Sequence, residues 1–226
     1  MKKIKGIFVL LSFVLFFNIS CIIALAAISC PDNCNYLISD YCLPQYSSYT
    51  YYKTSSTPST ASGAIENAMS AWNAVDSSMT LSVKSITKPF DTTDSYNTIG
   101  TVLSQDDFAI VAGTYTAVAV NSLRMSNSKI INSDIALCGY YAFGNGQSNN
   151  YYDYQGIFTH ELGHTWGLMD IYESSAQFNA SNVNELPAMY GSVTYSGFSS
   201  NVTVFLRYLK TGDKNGLGVV KSVRGF

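Results

Sequence analysis

DYQGIFTHELGHTWG, running from Asp153 to Gly167, reads as one helix with both of its ends marked. Asp153 is a good N-cap, because its carboxylate can accept from the unpaired N–H groups of a first helical turn. Phe158, Leu162 and Trp166 recur at i, i+4 and i+8 and give the helix one face to bury. Ile157, His160 and His164 fall on another. Gly167 suits the end of the helix, since glycine takes the left-handed conformation at no steric cost. His160 and His164 are four residues apart, so one turn separates them and both imidazoles can reach a single ion. They are the only two histidines in 226 residues. A chain this poor in histidine that places both at ligand spacing points to a metal rather than to an incidental surface pair.

Glu161 sits beside the first histidine. Catalytic zinc takes three protein ligands and keeps an open position for a water whose pKa falls towards about 7. A neighbouring carboxylate can take that proton while the metal polarises a carbonyl, and amide hydrolysis needs both. The helix itself supplies only two ligands. Gly167 turns the chain back, and Asp170 is the first strong ligand after it; Glu173 lies three residues further with no matching motif. The metal set expected from the sequence is therefore His160, His164 and Asp170, holding Zn2+, with Glu161 as general base.

The motif HELGHTWGLMD resembles that of the metzincin zinc peptidases, HExxHxxGxxH or, in some members, HExxHxxGxxD, followed by a methionine turn beneath the metal. PAMYGS, residues 187–192, is similar to the Ala-Leu-Met-Tyr of matrixins and makes Met189 the Met-turn residue. AIENAMSAWNAV resembles the first helix of such domains, SKIINSDIALC the strand before the active-site helix, and GDKNGLGVV the Asp-x-x-Gly start of the last helix. The resemblance covers about Ser47 to Val220, and only the zinc motif in it is specific. It implies an α+β, α/β-like zincin catalytic domain: a twisted, mostly parallel five-stranded sheet with one antiparallel edge strand, an active-site helix and a C-terminal helix. It also implies an endopeptidase whose protein or peptide substrate lies extended along a sheet edge. The pocket after the cut bond would be walled by Gly191 to Phe198, which carries no charged side chain. The lack of a third histidine excludes the histidine-built structural zinc site of animal matrixins.

Elsewhere the chain reads as helix, then strands, then helix. Tyr49 to Lys53 is of strand type, and TSSTPSTAS is a loop. Ile65, Met69 and Trp72 mark an amphipathic helix, and their plain reading is packing. Leu81 to Thr87, FAIVAG (residues 108–113), TYTAVAV (residues 114–120) and Ile131 to Tyr141 are expected strands. Asp91, Asp94, Asp106, Asp107 and Asp134 are candidate Ca2+ ligands, but none is assigned.

The first 26 residues have a basic start, an apolar run and an Ala-Leu-Ala end, the layout of a cleaved secretory signal. An uncleaved anchor is the alternative, the run being long enough to span a bilayer core of about 20 helical residues. Cys21 follows Asn18-Ile19-Ser20, but the leucine a lipoprotein signal wants three positions before the cysteine is missing. Removing the segment takes three lysines, leaving 10 basic against 15 acidic residues, which excludes an electrostatic nucleic-acid partner. Residues 27–46 read as a short cysteine-containing leader or pro-segment, in which Cys30 or Asp32 could reach the zinc, and residues 47–226 as the domain. Cys30, Cys34, Cys42 and Cys138 form an even set and are expected to pair in an oxidising compartment. The whole is expected to be a released, secreted monomer with no stable membrane association. A membrane-tethered processing enzyme, and a catalytically weak zinc-bearing surface or binding module, are the competing classes.

Overall fold

The computed structural model describes residues 36–39, 42–148, 150–171, 186–191 and 206–226. In chain order the strands are β1 (Leu37–Ile38), β2 (Leu43–Pro44), β3 (Ser48–Lys53), β4 (Thr80–Thr87), β5 (Asn97–Leu103), β6 (Ala119–Ser126), β7 (Lys129–Cys138), β8 (Phe143–Gly144), β9 (Tyr152–Asp153) and β10 (Leu168–Met169). The helices are α1 (Ser62–Asn73), α2 (Gln105–Ala112), α3 (Tyr154–Thr165) and α4 (Thr211–Arg224). Among the described residues no helix is long and apolar enough to cross a membrane.

β4, β3, β5 and β7 pair in parallel in that order, and β6 closes the row antiparallel to β7. This is the expected mixed sheet with its antiparallel edge. The short β2 adds a sixth member by pairing in parallel with Lys129 and Ile130 at the start of β7. The turn from β6 to β7 is Asn127-Ser128, both at positive φ, the two-residue hairpin loop whose twist suits flanking strands. Gly100, at φ +83, shifts the register of β5 against β7. A Cβ there would stand 2.8 Å from Thr57 Cγ2, so the close approach of the Thr57 loop requires glycine.

α1 and α3 pack together: the Trp72 indole donates to the Thr159 carbonyl at 2.9 Å. Trp72, Trp166, Tyr49, Phe158, Ile65 and Ile135 are fully or almost fully buried between helices and sheet. Each such apolar side chain is worth about 1.5 to 3 kcal/mol over exposure.

Three expectations need correction. FAIVAG lies within helix α2 and its cap, because Ser104 accepts from Asp107 N–H, two aspartates stand in the first turn and Gly113 ends the helix at φ +70. Of TYTAVAV only Ala119 and Val120 enter a strand, and β5 was not foreseen. Cys138, expected in a disulfide, is a free buried thiol at the end of β7, while Cys30, Cys34 and Asp32 lie outside the described residues. The described part of residues 27–46 is woven into the domain. β1 pairs with β10, and Ile38, Cys42 and Leu43 join the common core.

Candidate metal centre

Helix α3 is fixed at its N-terminus by Asp153. Its carboxylate accepts from Gly156 N–H at 2.8 Å and Gly146 N–H at 2.7 Å, and it meets the Arg207 guanidinium side-on through Nε and an Nη. At its other end Gly167, at φ +82, reverses the chain where a Cβ would stand 2.8 Å from the Cys42 carbonyl oxygen. The reversed chain becomes β10, which β1 holds antiparallel through Leu37↔Met169 and Ile38↔Leu168. Asp170 follows at once.

These elements bring the three expected ligands together. His160 Nε2 lies 3.2 Å from His164 Nε2 and 3.1 Å from Asp170 Oδ1, and His164 Nε2 lies 3.5 Å from the same oxygen. Each imidazole uses its other nitrogen: Nδ1 of His160 donates to the Ala188 carbonyl and Nδ1 of His164 to the Leu168 carbonyl, both at 2.8 Å. That leaves each Nε2 as the nitrogen facing inward, free to ligate once its proton gives way to a metal. Three ligating atoms thus converge on one point and require positive charge there. Tetrahedral zinc with bonds of about 2.0 to 2.1 Å sets its ligand atoms about 3.3 Å apart, so the residues present fit the ion. Among the described residues this is the cluster of metal-ligating side chains found.

The electrostatics agree. Burial opposes a charged imidazole, yet the Asp170 carboxylate outweighs it, raising His160 and lifting His164 to about 9. Burial would raise Asp170, but the two imidazoles hold its carboxyl far below the usual range. Glu161 is buried, which raises its carboxyl, against the pull of His160 and His164.

Met189, the expected Met-turn residue, packs against the helix at Gly163. Gly163 presents no side chain to it, and a Cβ at Gly163 would stand 2.1 Å from Met189 Sδ. Ile171 N–H donates to the Met189 carbonyl and Gly191 N–H to the Ile171 carbonyl, clasping the turn to the Asp170 loop. Asp213 of α4, fully buried, accepts from Ala188 N–H at 2.9 Å, Met189 N–H at 3.2 Å and Lys210 N–H at 2.7 Å. Sequence reasoning marked that helix start but not the role of its aspartate, nor Asn121, which donates to the Glu161 carbonyl at 2.7 Å. No local pattern announces either contact.

The candidate calcium ligands scatter into local roles. Asp91 and Asp94 accept from Thr93 and Tyr96 in their own loop, and Asp107 accepts from the Ser104 hydroxyl. Asp134 is buried and accepts from Thr98 N–H and Oγ1. Asp106 stands in the first turn of α2. Glu173 and the pocket wall from Ser192 to Phe198 lie outside the described residues.

No protein-family model and no curated protein matches the chain. Among solved structures it is similar to High choriolytic enzyme 1, a hatching enzyme zinc-protease from Oryzias latipes, the medaka fish. The match has 15% identity and a TM-score of 0.40, and it covers 88% of this chain and 99% of that one.

Proposed function

We propose that this chain is a secreted zinc-dependent endopeptidase of the metzincin type, with His160, His164 and Asp170 as ligands, Glu161 as general base and Met189 as the Met-turn residue. The observation that carries the reading is the convergence of Nε2, Nε2 and Oδ1 within 3.5 Å while both Nδ1 atoms are committed to carbonyls. Bound zinc would supply Lewis-acid polarisation of the scissile carbonyl and acidify a water. Glu161 would take a proton from that water and pass it to the departing amine, its carboxyl raised by burial. His160 and His164 are held rigid by the Ala188 and Leu168 carbonyls, and Asp170 by the clasp of β1 on β10. A peptide adds as a further strand along the outer edge of β6, which among the described residues pairs only with β7.

Zinc content measured together with a peptide-library cleavage profile tests this. One zinc per chain and cleavage at internal bonds, abolished in Glu161→Gln, support it; zinc without cleavage would make the chain a binding module on the same scaffold. Export is tested by the mass of the N-terminus recovered from the medium, expected to begin at residue 27.

A further inference from the structure

We infer that Asn121 is a positioning residue for the peptidase reaction, an inference that rests on the reading above: it ties edge strand β6 to α3 at Glu161, fixing the base relative to a peptide lying along that strand. The Asn121 side-chain amide is the hub of a buried ring drawn from four elements. Its Nδ2 donates to the Glu161 carbonyl at 2.7 Å and to Thr165 Oγ1 at 3.0 Å, and its Oδ1 accepts from Ser133 Oγ at 2.8 Å. A carbonyl only accepts, so the amide orientation follows from its neighbours. Tyr51 Oη lies 2.8 Å from Thr165 Oγ1 and 2.6 Å from Ser133 Oγ.

Each hydroxyl has one proton, and one assignment gives each of these four contacts a donor, leaving the 3.0 Å approach of Ser133 Oγ to Thr165 Oγ1 across the ring without one. Asn121 donates to Thr165, Thr165 to Tyr51, Tyr51 to Ser133, and Ser133 back to Asn121. The ring runs one way round, joining β6, α3, β3 and β7, and such closed chains of hydrogen bonds polarise and strengthen one another. Tyr51, Ser133 and Thr165 are fully buried. Within the ring it is Asn121 that bonds to the residue carrying the base.

Asn121 thus reaches the Glu161 carbonyl from the strand along which the substrate is expected. On the other side of the helix, Trp72 holds the Thr159 carbonyl. The two donors grip the carbonyls flanking His160 from α1 and from β6.

The test compares the full-length parent with Asn121→Leu, Asn121→Ala, Tyr51→Phe and Glu161→Gln. Tyr51→Phe opens the ring but spares the hydrogen bond to Glu161, so it serves as a destabilised control. Readouts are kcat and KM on one peptide from the library screen, zinc affinity by chelator competition, Tm, and amide exchange of α3 by mass spectrometry. Asn121→Leu and Asn121→Ala should lose on the order of 10 to 100-fold in kcat, as misplacement of a reacting group does, with KM and zinc affinity within about threefold of the parent. Exchange should quicken at residues 161–165. Tyr51→Phe should lower Tm while largely keeping kcat. Parental kcat in both Asn121 variants, unchanged exchange in α3, or an equal kcat loss in Tyr51→Phe overturns the inference. Absence of any Glu161-dependent cleavage by the parent sinks the peptidase reading, and the kinetic role of Asn121 with it.

Discussion

At the scale of single residues, Asp170 and Glu161 separate by what their loss removes. Asp170→Ala deletes a ligand, and its cost in zinc affinity should exceed the roughly 10 to 100-fold typical of losing an outer partner of a ligand. Activity should fall with it. Glu161→Ala should keep the zinc and lose about 10² to 10⁴-fold in turnover. Chelator competition and peptide cleavage on both variants check the pair; equal zinc affinity in Asp170→Ala and the parent would show the ligand misassigned. Gly163 offers a third case. Alanine there gains helix propensity of about 1 kcal/mol, but its Cβ would fall 2.1 Å from Met189 Sδ and 3.0 Å from Trp72 Cζ2. Overpacking of about 1 to 3 kcal/mol should win, lowering Tm at about 2 to 4 °C per kcal/mol, which calorimetry can read.

At the scale of elements, what could be read in the sequence was what local chemistry writes. The histidine spacing, Asp153 at the start of α3 and Gly167 at its end are each consequences of helix geometry, and the structure places them as expected. FAIVAG misled because its apolar run says nothing about period, whereas Ser104, Asp106, Asp107 and Gly113 around it mark a helix. Asp213 and Asn121 were beyond reach for another reason: their partners lie 25 and 40 residues away, so only the folded chain brings them to Met189-side amides and to Glu161. Asp213→Ala should leave the Ala188, Met189 and Lys210 amides without their acceptor, each unsatisfied group costing about 1 to 3 kcal/mol. Because the Ala188 carbonyl orients His160, zinc affinity should fall alongside Tm, and parental zinc affinity in this variant would count against that coupling.

At the scale of the whole molecule, pH acts through carboxyls buried away from the metal. Asp134 faces Thr98, Asp94 and Arg124, and burial pushes it up to about 7 against the two Thr98 hydrogen bonds. A folded-state value raised above the unfolded one means that the native state holds the proton longer. The contribution is therefore full below about 3.8 and is lost as pH rises through about 7. Asp134→Asn cannot ionise, and its oxygen can still accept from Thr98. It should remove this decline, on the order of 4 kcal/mol at pH 8 by the size of the shift, and be the more stable protein there. Denaturant titrations of both proteins from pH 4 to 8 check it; parallel stability curves would refute it.

The clasp of β1 on β10 also sets a timetable. Leu37 waits for Met169, and the turn that steadies His160 waits for Asp213 in the last helix. Synthesis runs at about 5 to 20 residues per second, so a chain emerging from the ribosome carries both histidines for several seconds before the parts that hold them exist. Contacts this distant in sequence form late. On the proposed reading the metal centre would be completed late, and zinc would be taken up by a finished chain rather than a growing one. A chain ending before Thr211 should then emerge without a metal site, while keeping every one of its ligands.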